Sequence, residues 1–362
     1  MSSTDPTAKK QPRPPAETQP PDILAAVHSR APVRVSLAGG GTDVSPYTEE
    51  HGGMVVNLAI SRYAYAELML TRDPGLHFCS RDTGEELTAS SLAQLTYDGK
   101  LDMLKAVTRS FHRYDSGVRL WAASSVPPRS GLGGSASLFI ALIGAFNHLE
   151  REYRRDLHEL AELAWRIERD ELQNLGGRQD QYAAAFGGLN FIEFKGHDFV
   201  RVNPLKLSSG MIYELERRLL LFNIGERTLA SGNIIERQMA AMSSGKNVEA
   251  LHSTKELCLE MKYSLIRGNL DDVGRMLNRA WQHKKQFTDG ISDPRIDGVY
   301  DALMHAGALG GKLTGAGGGG HMIVYAPLSR REAVFDVARR LKLIHIPYTI
   351  DFTGLRTWEP PH

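Results

Sequence analysis

A chain of 362 residues is long enough for two domains, each with its own core. Its 43 Lys and Arg against 42 Asp and Glu leave a net charge of +1, which offers no bulk attraction to a nucleic-acid backbone. No run of 18 apolar residues occurs, so no membrane span is expected, and two cysteines, Cys79 and Cys258, exclude a disulfide framework and suit a reducing cytoplasm. The first 22 residues carry six prolines among polar residues and lack the apolar core of a signal peptide. They are expected to form a disordered tail, drawn to residue 29 in the domain division.

In the segment Ala31–Asp43, Val33, Val35 and Leu37 alternate with Arg34 and Ser36, the period of a strand with one buried face. Arg34 is placed on the opposite face. Gly39, Gly40 and Gly41 then permit close approach of a ligand, and Thr42 and Asp43 follow. A carboxylate there suits a polyhydroxylated ligand, while a cap on the next element is the alternative. Gly52–Ile60 and Val118–Ala122 are expected as further strands.

The stretch from Pro127 to Ser137 contains Ser130-Gly131-Leu132-Gly133-Gly134-Ser135-Ala136, and it opens a helix, Leu138–Phe146, that is apolar nearly all round. Unpaired amides at the positive end of a buried helix make an anion site. A plain tight turn is the competing explanation, and no GxxxxGK[ST] P-loop occurs anywhere.

Leu157, Ala161, Ala164 and Glu168 recur at helical spacing, which sets Glu168 on or beside an apolar face. A carboxylate there needs a cation: Arg166 or Arg169 folding over, or Mg²⁺. Asp180 lies twelve residues on, between Gly176-Gly177 and Ala183–Ala185, and either caps a turn or is aimed into a cleft as a base. Gly187–Phe194 is expected as a strand, as is Arg218–Ile224, followed by helices near Asn233–Ser243 and Leu251–Arg267. Lys312–Gly320 holds Gly315, Ala316, Gly317 and Gly318 and formally contains GxGxxG. A helical run, Gly298–His305, precedes it and a strand, His321–Tyr325, follows, the reverse of a dinucleotide fingerprint. A closing strand is expected at Pro347–Phe352. The 13 histidines lack metal-site spacing, and His51, His77 and His321 suit surface or packing roles.

Taken together, the segments resemble the three motifs of the GHMP kinases. The stretch from Pro127 resembles PxxxGLGSSA, with Gly134 in place of the first serine and Ser135 at the second. The Ala31–Asp43 segment resembles APGRVNLIGEHTDY, and Lys312–Gly320 resembles KxTGAGxGG. The triple glycine resembles the sugar 1-kinases acting on heptose 7-phosphate and fucose, and GGRQDQYAAAFGGLNFIEF resembles the heptose 7-phosphate kinase branch.

The resemblance implies an α+β fold, with a ribosomal-S5-like N-terminal domain over residues 30–210 and a ferredoxin-like C-terminal domain over 211–362. It implies a cytoplasmic kinase using ATP with Mg²⁺ to phosphorylate the anomeric hydroxyl of a small sugar phosphate, most like heptose 7-phosphate. Fucokinase, and a non-catalytic sugar or nucleotide sensor, are the alternatives, and a homodimer is left open. Asp180 and Arg34 carry over as catalytic residues, and residues 130–136 as the ATP loop. Ser135 and Glu168 carry over as Mg²⁺ ligands, and Gly39–Asp43 with Gly315–Gly318 as substrate contacts. Arg227 is a candidate for a phosphate on the far end of the sugar, against simple pairing with Glu226 or another surface carboxylate.

Overall fold

The computed structural model describes residues 22–112, 116–227 and 231–361. In chain order the first part contains β1 (Ile23–Ala38), α1 (Tyr47–His51), β2 (Gly53–Thr71), β3 (Leu76–Ser80), β4 (Glu86–Ala89), α2 (Asp102–Phe111) and β5 (Gly117–Ser124). Then come α3 (Gly134–Leu149), α4 (Leu157–Arg166), α5 (Gln179–Phe186), β6 (Leu189–Lys195) and β7 (Phe199–Pro204). The second part holds α6 (Ser209–Arg218), β8 (Leu219–Asn223), α7 (Ser231–Ser243), α8 (Val248–Arg267), α9 (Leu270–Lys285) and α10 (Pro294–His305). It closes with β9 (Gly310–Leu313), β10 (His321–Tyr325), α11 (Arg331–Arg340), β11 (Ile344–His345) and β12 (Arg356–Trp358).

The long strand β2 organises the first sheet. It is antiparallel to β1 over nearly its full length, then to β6 through Gly53–Leu58 and to β5 through Ala64–Thr71. The second sheet runs β11-β8-β10-β9, antiparallel throughout, with helices packed on it. These two layered units form the expected α+β fold.

Helix α3 is buried on most of its surface and lies against β1 and β2, as a helix apolar all round must. Strand β1 is covered on both faces, not one, along its C-terminal half. Val33, Val35 and Leu37 share a core with Leu219, Leu221 and Ile323 of the second sheet and with Cys258 and Leu277 of α8 and α9. The two sheets therefore share apolar packing, which ties them together more firmly than a polar interdomain contact would. Among the described residues no helix is long and apolar enough to cross a membrane.

Three boundaries differ from the sequence reading. The tail drawn to residue 29 ends earlier, because β1 starts at Ile23, where it pairs with Thr71; residues 1–21 lie outside the described residues. A strand, β9, stands between the Gly298–His305 helix and the third glycine loop, so that loop is the turn of a β9–β10 hairpin. The expected closing strand at Pro347–Phe352 is not a ladder strand. There Ile350 makes one bridge to Ile60 and donates its N–H to Glu216, and the Tyr348 hydroxyl donates to the Leu219 carbonyl. Closure falls instead to β11, and β12 returns to the first sheet beside β1.

Candidate active site

The second half of β1 and the loop between β5 and α3 are held edge to edge. The Arg34 amide donates to the Leu132 carbonyl at 2.9 Å, and the Arg34 guanidinium donates to the Gly131 carbonyl at 2.6 Å. Gly131 has φ of +82°, and a Cβ on it would fall 2.4 Å from an Arg227 nitrogen, so no other residue fits there. Helix α3 begins after Gly133, and its first intrahelical bond runs from the Ser137 amide to the Gly133 carbonyl. The amides of Gly134, Ser135 and Ala136 precede that bond, at the positive end of the helix. Gly134 and Ser135 line a cavity of about 320 Å³ whose walls also include Met103, Val126, Pro127, Leu138 and Arg227.

The remaining nitrogens of Arg34 bind both oxygens of Asp180, Nε to Oδ1 at 2.6 Å and Nη2 to Oδ2 at 2.5 Å. Asp180 stands in the first turn of α5, which buries Ala183, Ala184 and Ala185 completely. Each carboxylate oxygen keeps lone pairs beyond those given to Arg34, so the carboxylate can still accept a proton from a hydroxyl.

Glu168 does not end a regular helix. It lies in a π-helical turn, Ile167–Glu171, that follows α4, a device often found at functional positions. Neither expected arginine reaches it: Arg166 pairs with Glu162 at 3.5 Å, and Arg169 lies over the Trp165 ring. Its partners are neutral, with Ser135 Oγ donating to Oε1 and Gln181 Nε2 to Oε2, each at 2.8 Å. Burial, with Asp180 nearby, holds its carboxyl up at about 7 against the two hydrogen bonds. Among the described residues no three His, Cys, Asp or Glu side chains gather as a metal site. A hydroxyl and a carboxylate 2.8 Å apart beside an anion-binding helix end are nonetheless the oxygen donors Mg²⁺ takes when nucleotide phosphates complete its shell.

On the other side of Arg34 lies a smaller cavity of about 80 Å³, lined by Ser36, Gly40, Gly41, Asp43, Gln179 and Lys284 among others. The two cavities share Arg34, Ile235, Gly315 and Ala316, so they are one cleft. Asp43 is buried and accepts from the Gly41 amide at 3.0 Å and the Gln179 amide at 3.2 Å, while Gln179 Nε2 donates to both its oxygens at 3.1 Å. Burial raises its carboxyl above the usual range, with Asp180 adding to it. Gly177 permits this arrangement, since a Cβ there would sit 2.0 Å from Asp43 Oδ2. Ser36 Oγ and Gln179 Oε1 are buried without a hydrogen-bond partner among the described residues. Buried polar atoms on a cavity wall are costly unless a polar ligand meets them. Thr42 points away from the cavity, its hydroxyl donating to the carbonyls of Gly39 and Met54 to brace the loop.

The third glycine loop closes the cleft. The Thr314 carbonyl accepts from Arg227, and the Gly315 carbonyl accepts from Lys284. His321 bonds the Ser130 carbonyl at 2.8 Å through Nδ1, a packing role that joins the third loop to the first helix loop. Arg227 is buried and pairs with neither Glu226 nor any other carboxylate among the described residues. It is held by the carbonyls of Gly319 and Thr314 and by Ser231. Burial and the neighbouring Arg34 depress it to about 10. It lines the larger cavity, not the one containing Asp43. Sequence reasoning gave no role to Lys284, Lys312, Gln179 or Gln181. Lys312 is buried, donates to the Ser36 carbonyl at 2.7 Å and so joins β9 to β1. A third depression of about 540 Å³, between α6 and the α8–α9 turn, holds none of these groups.

Residues 101–188 match the family model of the GHMP kinases N terminal domain, and residues 261–342 match that of the GHMP kinases C terminal. The D-glycero-alpha-D-manno-heptose 7-phosphate kinase of Campylobacter jejuni is 33% identical over 346 residues, covering 93% of this chain and 100% of that protein. The chain belongs to the GHMP kinases. Its structure is similar to that of a D-glycero-D-manno-heptose 1-phosphate kinase from Bacteroides thetaiotaomicron, with a TM-score of 0.77, 30% identity and coverage of 93% and 100% of the two chains. An L-fucokinase/L-fucose-1-P guanylyltransferase of Bacteroides fragilis is 28% identical across 83% of this chain and 34% of its own length. The galactokinase of Lactococcus lactis, at 19% identity and a TM-score of 0.70 over 92% and 95% of the chains, shares the fold. As a GHMP kinase the protein is a phosphotransferase that uses ATP as co-substrate and an alcohol as acceptor.

Proposed function

We propose that this GHMP kinase phosphorylates the anomeric hydroxyl of D-glycero-α-D-manno-heptose 7-phosphate, giving the 1,7-bisphosphate and ADP in the cytoplasm. The observation that carries the reading is the Arg34–Asp180 pair at the meeting of two cavities, one built for phosphates and one lined by hydroxyl-binding groups. Residues 130–136 with Arg227 receive the nucleotide phosphates. Ser135 and Glu168 would hold Mg²⁺, which when bound neutralises phosphate charge. Asp43, Gln179 and Ser36 take sugar hydroxyls, with Gly40, Gly41, Gly315 and Ala316 among the walls.

The chemistry assigned to the chain's own residues is small. Asp180 accepts the anomeric hydroxyl proton as the O1–phosphorus bond forms and the bond to the β-phosphate oxygen breaks. Arg34 fixes the Asp180 carboxylate and faces the transferring group with the nitrogen that also binds Gly131. Most of the rate enhancement is positioning and charge stabilisation. Support for the heptose comes from the 33% identity over the full Campylobacter enzyme, against fucokinase at 28% over a third of a longer protein.

The test is ATP consumption across heptose 7-phosphate, free heptose and fucose, with phosphorus NMR to locate the new ester. Heptose 7-phosphate is expected to be used best and to gain phosphate at C1. Preference for fucose would replace this reading with the fucokinase one, and no turnover of any sugar would favour a sensor.

A further inference from the structure

Lys284 stands in the last turn of α9. Leu270, Val273, Leu277 and Trp281 form the buried stripe of that helix, and Lys284 continues it while Lys285 turns out to meet Asp297 at 3.6 Å. Lys284 is 7% exposed and lines the smaller cavity with Asp43, Gln238 and Phe287. Among the described residues no carboxylate lies within 4.0 Å of its ammonium, whose hydrogen bond goes to the Gly315 carbonyl. The charges around it are mostly of its own sign: Lys312, Arg227 and Arg34 repel it, and Asp43, already engaged by Gln179 and Gly41, is the attractive one.

Burial and these like charges push Lys284 well below the ordinary lysine range, and an anion that arrives beside it favours the charged form again. The neighbouring cations have other work. Arg34 is paired with Asp180, Arg227 lines the nucleotide cavity, and Lys312 lines neither cavity and serves the Ser36 carbonyl. The third loop thus holds two cations through successive carbonyls, Arg227 on Thr314 toward the nucleotide and Lys284 on Gly315 toward the sugar.

We propose that Lys284 receives the phosphate group that the acceptor sugar already carries, and so selects phosphorylated over free sugars. This rests on the reading of the acceptor as a sugar phosphate. The flexible four-carbon stem and three donors of a lysine suit a dianion approached from one side. No bond is made or broken at Lys284, which distinguishes it from the groups that touch the transferring phosphoryl.

Steady-state kinetics of wild type, K284Q and K284R with heptose 7-phosphate and with free heptose, at saturating ATP, test the idea. The wild type should favour the phosphosugar in kcat/KM. K284Q should shrink that preference by about 10- to 150-fold, the worth of one charge-assisted contact, chiefly through KM. K284R should keep most of it. An equal loss on both sugars in K284Q would overturn the proposal by placing Lys284 on the transferred phosphoryl or in the scaffold, and an unchanged preference would overturn it outright. If K284Q does not fold, K284M, whose chain occupies the path of the lysine stem, carries the same comparison. The wild-type arm reports separately on the acceptor: equal use of both sugars would overturn the phosphosugar reading and the role of Lys284 with it, whereas a wild-type preference that survives K284Q removes Lys284 alone.

Discussion

The two halves of the cleft carry buried ionisable groups of opposite type that the protein leaves without a counter-ion, and burial pushes each toward its neutral form. On the nucleotide side Glu168 is held by a serine hydroxyl and a glutamine amide, and no cation reaches it among the described residues. On the sugar side Lys284 is held by a backbone carbonyl, with no carboxylate within reach among the described residues. Between them Arg34 and Asp180 form a complete bidentate pair. A folded chain normally neutralises such groups internally. In the function proposed above the ligands supply the missing charge, a cation beside the nucleotide phosphates and an anion on the sugar.

Removing the central pair should have the largest effect. Asp180→Ala should lower kcat by about 10²- to 10⁴-fold while nucleotide binding, measured by titration calorimetry, stays near wild type. Turnover close to wild type would take the base away from Asp180. Next in size is Gly177→Ala, because the new Cβ would fall 2.0 Å from Asp43 Oδ2 and push that carboxylate from its place. A displacement of about 1 Å costs on the order of 10²-fold. The loss should appear in kcat/KM for the sugar and spare the KM for ATP; a loss shared by both substrates would break the division of the cleft into two halves.

Glu168→Gln sharpens the nucleotide half. It keeps the shape and the bond from Ser135 but removes the charge, so the Mg²⁺ concentration for half-maximal activity should rise by about tenfold. An unchanged Mg²⁺ titration would remove Glu168 from the metal. The smallest effect concerns Lys312, whose ammonium is depressed to about 7 by burial and by Arg34. The folded state then binds fewer protons than the unfolded chain between about pH 7 and the ordinary lysine range near 10.5, so stability from this group rises across that window. Lys312→Met should flatten the rise, seen as a difference of a few degrees in Tm between pH 7 and pH 10 relative to wild type. An identical pH slope in both proteins would show that Lys312 is ordinarily charged.

Much of the frame was legible because glycine, alternation and helical spacing answer to local rules. The glycine run from Gly131 to Gly134 announces a close approach, and the apolar α3 announces its own burial. Asp180 and Arg34 were each legible as candidates, yet their bond spans 146 residues and belongs to tertiary structure. Glu168 looked like an end-of-helix carboxylate awaiting a cation, an arginine or Mg²⁺, because spacing cannot foresee a π-helical turn that carries it toward Ser135. Lys284 did leave a signal. It falls on the apolar spacing of Leu270, Val273, Leu277 and Trp281, and a lysine there is out of place for a reason. The Pro347–Phe352 segment shows the opposite failure: a strand was expected there, yet it makes one bridge, Ile350 to Ile60, while the Tyr348 hydroxyl goes to Leu219 and the Ile350 amide to Glu216.

A crystal structure with Mg²⁺, a non-hydrolysable ATP analogue and heptose 7-phosphate tests the division of the cleft most directly. The nucleotide phosphates are predicted against residues 130–136 in the larger cavity, with the sugar's anomeric hydroxyl about 3 Å from Asp180 in the smaller one. A sugar bound with another hydroxyl at Asp180, or with its anomeric carbon turned away from the nucleotide, would contradict it.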